Sequence, residues 1–198
     1  MGGLLLLATV FCVGVMLYFG MQSSSEWDVT PEEPSGSFTT TVPKPGTYGA
    51  TSAECRVLRG GLPARATVEA YKYRYLAIYY SAQWCGPCRR FTPKLVNFYR
   101  KQKALHPDFE IILVSSDRDE AAMLKYMKDY NMPWPAMLES ANRSHPWNKF
   151  NSRGGIPCLV VLDHNGKVVA DTNVKGKYLG PSQAMDKFAT LLAASKKP

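Results

Sequence analysis

Two cysteines separated by glycine and proline, Cys85-Gly86-Pro87-Cys88, stand where an apolar run gives way to a helical pattern, and that junction restricts what the chain can become. The run before them, Tyr75-Leu76-Ala77-Ile78-Tyr79-Tyr80, is short, aromatic and β-branched, and reads as a strand. From Cys88 onward Phe91, Leu95 and Phe98 recur at helical spacing. The thiol pair therefore falls in the first turn of a helix, where unpaired N–H groups and the macrodipole favour a thiolate, and Arg89 and Arg90 add positive potential nearby. Cys85 is expected to ionise below the free value of about 8.5. Cys88, one turn further on, is placed to attack a mixed disulfide formed at Cys85.

Thiols at this spacing also make half of a zinc site. Two further ligands are then needed, yet Cys55 and Cys158 stand singly and His106, His145 and His164 show no ligand spacing. No metal is expected.

The rest of the chain supplies a core around the pair. Its 198 residues, 45% of them apolar, suffice for one ordinary domain and additional segments. Cys55-Arg56-Val57-Leu58 reads as a short edge strand and Leu62–Thr67 as a turn. After the helix from Pro87 to Ala104, Phe109–Val114 is apolar enough for a strand buried on both faces, returning parallel to the first through a right-handed crossover. Asp117, with Glu120 three residues later, predicts a capped helix whose stripe is Met123, Leu124, Met127 and Tyr130, stopped by Asn131 and Pro133. Trp134-Pro135-Ala136 reads as a connection, and a short helix is expected at Pro146–Phe150. An apolar strand entered through Pro157 then turns back at Asp163–Lys167 into Val168-Val169-Ala170, with Asn165-Gly166 suited to positive φ. A last helix starts at Pro181 and carries Ala184, Met185, Phe188, Leu191 and Leu192 on one face.

Residues 1–22 are almost wholly apolar and uncharged, which suits a signal peptide or an N-terminal membrane anchor. Tyr18-Phe19-Gly20-Met21-Gln22-Ser23 offers no clean small-x-small cleavage site, so the reading favours an uncleaved anchor, with the bulk of the chain on the extracytoplasmic side. The alternative is a secreted or periplasmic product after cleavage. Cys12 reads as a small apolar residue of that span. Residues 23–52, rich in Ser, Thr, Pro, Gly and Glu, form a linker without apolar periodicity, expected to be disordered, and 53–198 the folded domain. Every Lys and Arg lies at or after Lys44, so the positive charge behind the net +8 is concentrated on the folded part. No basic run is interleaved with aromatics in the way nucleic-acid binding requires.

Trp84-Cys85-Gly86-Pro87-Cys88, with Pro93 five residues on, resembles the active site of the thioredoxin-like superfamily. The resemblance implies an α/β fold with a mixed central sheet and helices on both faces. It further implies a redox-active Cys85-Cys88 disulfide without any other cofactor, and support from Trp84, Gly86 and Pro87. Ile156-Pro157 matches the family's cis-proline loop, which implies that Ile156 and Pro157 dock an extended client by main-chain pairing. Ser81–Cys85, Phe91–Leu95, Val114–Arg118 and Met132-Pro133-Trp134 are similar to the tryparedoxin and nucleoredoxin branch, although that branch commonly has Pro-Pro between its cysteines. Thioredoxins proper place a buried carboxylate six residues before the first cysteine; here that position is Tyr79, so another group or water must take the proton from Cys88.

The expected function is an exported, membrane-tethered protein-disulfide reductase acting on disulfide-containing protein clients and re-reduced by an unidentified donor. A disulfide isomerase or oxidase, a thiol peroxidase and a non-catalytic binding module are the alternatives. Cys158 is expected to be buried and inert, with a regulatory disulfide, or pairing to Cys55, as lesser readings.

Overall fold

The computed structural model describes residues 52–138 and 145–194. The expected leader or anchor at 1–22 and, Ser52 apart, the expected linker lie outside them.

Chain order gives β1 (Ser52–Arg59), β2 (Leu62–Glu69), β3 (Tyr75–Ser81), α1 (Gly86–Lys103), β4 (Phe109–Ser115), α2 (Glu120–Asp129), β5 (Ala136–Met137), a 3-10 turn (Pro146–Phe150), β6 (Cys158–Asp163), β7 (Val168–Asp171), β8 (Asn173–Val174), β9 (Lys177–Tyr178) and α3 (Pro181–Ala194). Seven strands form one mixed sheet in the order β2-β1-β5-β4-β3-β6-β7, and β8 and β9 form a separate small hairpin. The central strand β3 runs parallel to β4 from Tyr75↔Phe109 to Ser81↔Ser115, and antiparallel to β6.

Alternation along β3 divides the core in two. Ala77 and Tyr79 face a cluster that includes Phe91 and Leu95 from α1, Met123, Tyr126 and Met127 from α2, and Phe188 from α3. Leu76, Ile78 and Tyr80 face the other side with Cys158, Val160, Leu162 and Trp147. All three α-helices thus cover one face; the expected helical cover on the other face is only the 3-10 helix Pro146–Phe150, through Trp147. Each fully buried large side chain contributes about 1.5–3 kcal/mol relative to exposure, so β3, buried almost end to end, is the best anchored element. It delivers the chain directly to the thiols.

Four local expectations need correction. Leu62–Thr67 is strand, not turn: the turn is Gly60-Gly61, both at positive φ (57° and 80°), as a two-residue hairpin loop demands. β2 is a largely solvated edge strand, so it lacks the apolar alternation that would have marked it, and Pro63 is tolerated at such an edge. The cap of α2 is Asp119, whose carboxylate accepts from the Ala122 N–H at 2.9 Å; Asp117 is engaged elsewhere. Trp134-Pro135-Ala136 leads into β5, two residues wedged between β1 and β4. Finally, Cys55 on β1 and Cys158 on β6 are separated by three intervening strands, about 19 Å at normal strand spacing. A disulfide needs Cα atoms within about 7 Å; the two do not pair, and both are free and buried.

Candidate active site

Cys85 is the N-cap of α1, and Pro87 lies in its first turn, where a missing N–H costs nothing. The Cys88 N–H donates to Cys85 Sγ at 3.2 Å, so a helix-start amide addresses the sulfur. The two sulfurs are bonded, with Cα atoms 5.2 Å apart. Cys85 is 5% exposed and Cys88 fully buried, and the pair packs with Ala82 and Ile156. Gly86 is half-buried and Pro87 exposed.

The segment between β3 and α1 is tied to the end of β4. Asp117 accepts from the Gln83 N–H at 2.8 Å and from the Ser115 hydroxyl at 2.8 Å, which is why it does not cap α2. The Ser116 N–H donates to the Ser81 carbonyl at 2.8 Å, and the indole N–H of Trp84 to the Ser116 carbonyl at 3.1 Å. That bond fixes an otherwise 66% exposed ring beside Cys85. A cleft of about 440 Å³ opens on this side, lined by Trp84, Arg89, Asp117, Arg118, Asp129 and Tyr130 among others.

On the other side of Cys85 stands the loop before β6. The Ile156-Pro157 peptide is cis, as the resemblance implied. Cys85 Sγ lies 3.8 Å from the Ile156 carbonyl oxygen, and among the described residues neither the N–H nor the carbonyl of Ile156 has a backbone partner. Such a peptide group can pair with an incoming extended chain. The structure therefore brings Trp84, Cys85, Gly86, Pro87, Cys88, Ile156 and Pro157 together at the ends of β3 and α1.

Beneath Cys88 lies a group of residues only partly foreseen. The hydroxyls of Tyr79, Ser81, Tyr126 and Thr92 close a ring of contacts of 2.5–3.0 Å, and Thr92 also lies 2.9 Å from the Cys88 carbonyl, to which it donates. All four residues are fully buried. Burial, reinforced by Tyr126 alongside, pushes the Tyr79 phenol far above its ordinary range. Tyr79 and Ser81 share one face of β3 by strand alternation, a signal available in the sequence; their meeting with Tyr126 needed the fold. Cys158 follows Pro157 directly, but burial and then the charge of Asp171 push its thiol up to about 12. Among the described residues no cluster of three or more His, Cys, Asp or Glu side chains is assembled in a way that could hold a metal ion.

A thioredoxin-like family model matches residues 73–168. That stretch is a thioredoxin-like domain. Over 97 residues the chain is 44% identical to nucleoredoxin from Xenopus laevis, covering 48% of this chain and 23% of the frog protein. It is 48% identical over 100 residues to probable nucleoredoxin 3 of Oryza sativa subsp. japonica, covering 48% of this chain and 21% of the rice protein. It thus spans less than a quarter of the length of either. Among solved structures, tryparedoxin I from Leishmania major superposes with a TM-score of 0.53 at 26% identity, covering 74% of this chain and 90% of that one. The thioredoxin-like domain lies with the nucleoredoxin and tryparedoxin branch in both respects, with Gly-Pro between its cysteines.

Proposed function

We propose that this chain is a thiol-disulfide oxidoreductase that reduces protein disulfides, exported and held at a membrane by its N-terminus. One observation carries the chemistry: Cys85, closed onto Cys88 at the start of a helix, lies 3.8 Å from the carbonyl oxygen of Ile156, which has no backbone partner among the described residues. In the dithiol form the Cys85 thiolate, stabilised by the helix-start amide, attacks one sulfur of a client disulfide. The client S–S bond breaks and its other sulfur leaves as a thiolate. Cys88, deprotonated, then attacks Cys85, releasing the second client sulfur and closing the Cys85-Cys88 bond. Two electrons pass to the client, which takes up two protons; a dithiol donor must reopen the pair. The protein's own disulfide is the redox group, and no other cofactor enters the scheme.

The full chain should catalyse insulin reduction by dithiothreitol, and Cys85→Ser should abolish it; unchanged turnover in that variant would overturn the reading. Direction is set by the potential of the couple, where about 30 mV corresponds to about 1.4 kcal/mol. Gly-Pro resembles reducing thioredoxins and favours the reductase over an isomerase or oxidase. Membrane tethering and export rest on the apolar, uncharged residues 1–22. Carbonate-resistant membrane association, lost on deleting those residues, is the expected result, and soluble protein of unprocessed mass would refute it.

A further inference from the structure

The β8–β9 hairpin is bound to the cis-proline loop. Lys175 and Gly176 make its two-residue turn, both at positive φ (48° and 77°). Thr172, fully buried, fastens its base to β6: the Leu159 N–H donates to the Thr172 hydroxyl oxygen at 2.7 Å, and the Thr172 N–H to the Leu159 carbonyl at 3.0 Å. The Tyr178 hydroxyl donates to the Pro157 carbonyl at 3.2 Å. The hairpin is therefore tied by hydrogen bonds to the strand and loop that flank Cys85.

Its outer surface combines apolar and basic groups. Val174, Tyr178 and Leu179 are 38%, 53% and 49% exposed, an apolar strip for which the packing of this domain has no use. Lys175 and Lys177 are exposed at the tip, and Arg153, from the loop before Ile156, reaches over Gly176, its Nη2 3.4 Å from where a Cβ there would stand. None of these three cations has an ion-pair partner among the described residues, whereas Arg56, Lys72, Arg74, Lys103, Arg118 and Lys125 all do. Segments 145–162 and 172–185 contain no Asp or Glu at all. The nearest carboxylate along the chain, Asp171, is half-buried and turned to the Asn173 N–H. Three cations without an ion-pair partner among the described residues thus lie along this wall of the site, in segments that supply no carboxylate to offset them.

We infer that this wall is a specificity surface for clients, receiving an extended segment whose disulfide cysteine is flanked by acidic residues with an apolar residue among them. The inference rests on the exchange reaction proposed above and adds the class of client. A strand paired to Ile156 continues over the hairpin, where its carboxylates meet Arg153, Lys175 and Lys177 and its apolar side chain lies on Tyr178. Two or three exposed pairs of this kind select an acidic over a basic client by about two- to a hundredfold at low salt, and by less at high salt.

The test uses the full chain with dithiothreitol and three fluorescence-quenched disulfide peptides of equal length, with Asp, Ser or Lys flanking the cysteine. kcat/KM should fall in that order, through KM rather than kcat, and the acidic-to-basic ratio should collapse in Lys175→Glu/Lys177→Glu. That variant keeps the same positive-φ demand and the same exposure, and an unchanged melting temperature verifies its fold. Turnover of all three peptides without a charge order, or an order that persists in the variant, overturns this inference alone. No turnover of any peptide overturns the exchange reading with it. Cosedimentation with phosphatidylserine vesicles that the variant loses, together with no peptide preference, would assign the wall to lipid and also overturns it.

Discussion

Tyr79 occupies the position where thioredoxins proper carry a buried carboxylate, and it forms hydrogen bonds instead of supplying charge. Tyr79→Phe keeps the ring packed against Phe91 and Trp134 but leaves the Ser81 and Thr92 hydroxyls each without one partner in a site closed to water. The expected cost is about 1–3 kcal/mol, read from the urea midpoint. Because Tyr126 belongs to the same network, Tyr126→Phe added to it should cost less than the sum of the singles. The two free thiols among the described residues give a second residue-level prediction. Cys55 and Cys158 rise from an ordinary 9.0 to about 12, chiefly because burial disfavours the thiolate. Above pH 9 the unfolded chain loses these protons first, so the fold stabilisation tied to the neutral thiols is full below 9 and drains away toward 12. The slope is about 1.4 kcal/mol per pH unit for each thiol. Alkaline melting curves should flatten by that amount in Cys158→Ala. Iodoacetamide at pH 8 followed by peptide mass analysis should find both thiols unlabelled until the protein is unfolded.

At the scale of elements, α1 and β4 are joined through Lys103. Its ammonium donates to the carbonyls of Phe109 and Pro107, lies 3.3 Å from Glu110 Oε2, and faces the rings of Tyr73, Tyr99 and Phe109. Glu110 is 8% exposed and also accepts from the Tyr99 hydroxyl and the Ile111 N–H. Lys103→Met would strand that carboxylate, at about 2–4 kcal/mol, measurable by chemical denaturation. The elements legible in the sequence were those whose own residues carry the period of the core or a clear turn signal: β3, β4, β6, β7, α1, α2 and α3. Those missed take their structure from neighbours. β5 has two residues and exists because β1 and β4 flank it, β2 is a solvated edge, and the β8–β9 hairpin is held by Thr172 and Tyr178 rather than by any apolar alternation of its own. The reactive cysteines and the proline opposite them could be read at once, since a short string in a fixed order is local. Thr92 and Tyr126 could not, because a hydroxyl on a helix gives no sign of which strand it will meet. The cap of α2 was misplaced by two residues for a similar reason: Asp117 had a stronger claim from the Gln83 amide, on a different segment.

For the molecule as a whole, the β1–β2 hairpin lies ahead of residues 73–168, the stretch matched by the family model. It nevertheless completes the sheet: Ala53, Cys55 and Val68 are buried in the second core, and Arg56 reaches Glu120 at 2.6 Å. A chain beginning at residue 73 should lose on the order of 3 kcal/mol or more of stability through this lost burial and melt lower, whereas a chain beginning at Ser52 should melt with the full-length protein. Comparing the two by calorimetry separates an accessory hairpin from an integral one.

The direction of β1 has a practical consequence. Being antiparallel to β5, which runs parallel with β4 and β3, it begins at the same end of the sheet to which β3 delivers Cys85. Ser52, its carbonyl 3.2 Å from His145 Nε2, enters three strand positions from β3, a lateral offset of about 14 Å. Anything spliced ahead of Ser52, whether fluorophore, affinity handle or surface linkage, is thereby stitched to the reactive rim, where a bulky attachment crowds approaching macromolecules while small disulfides still pass.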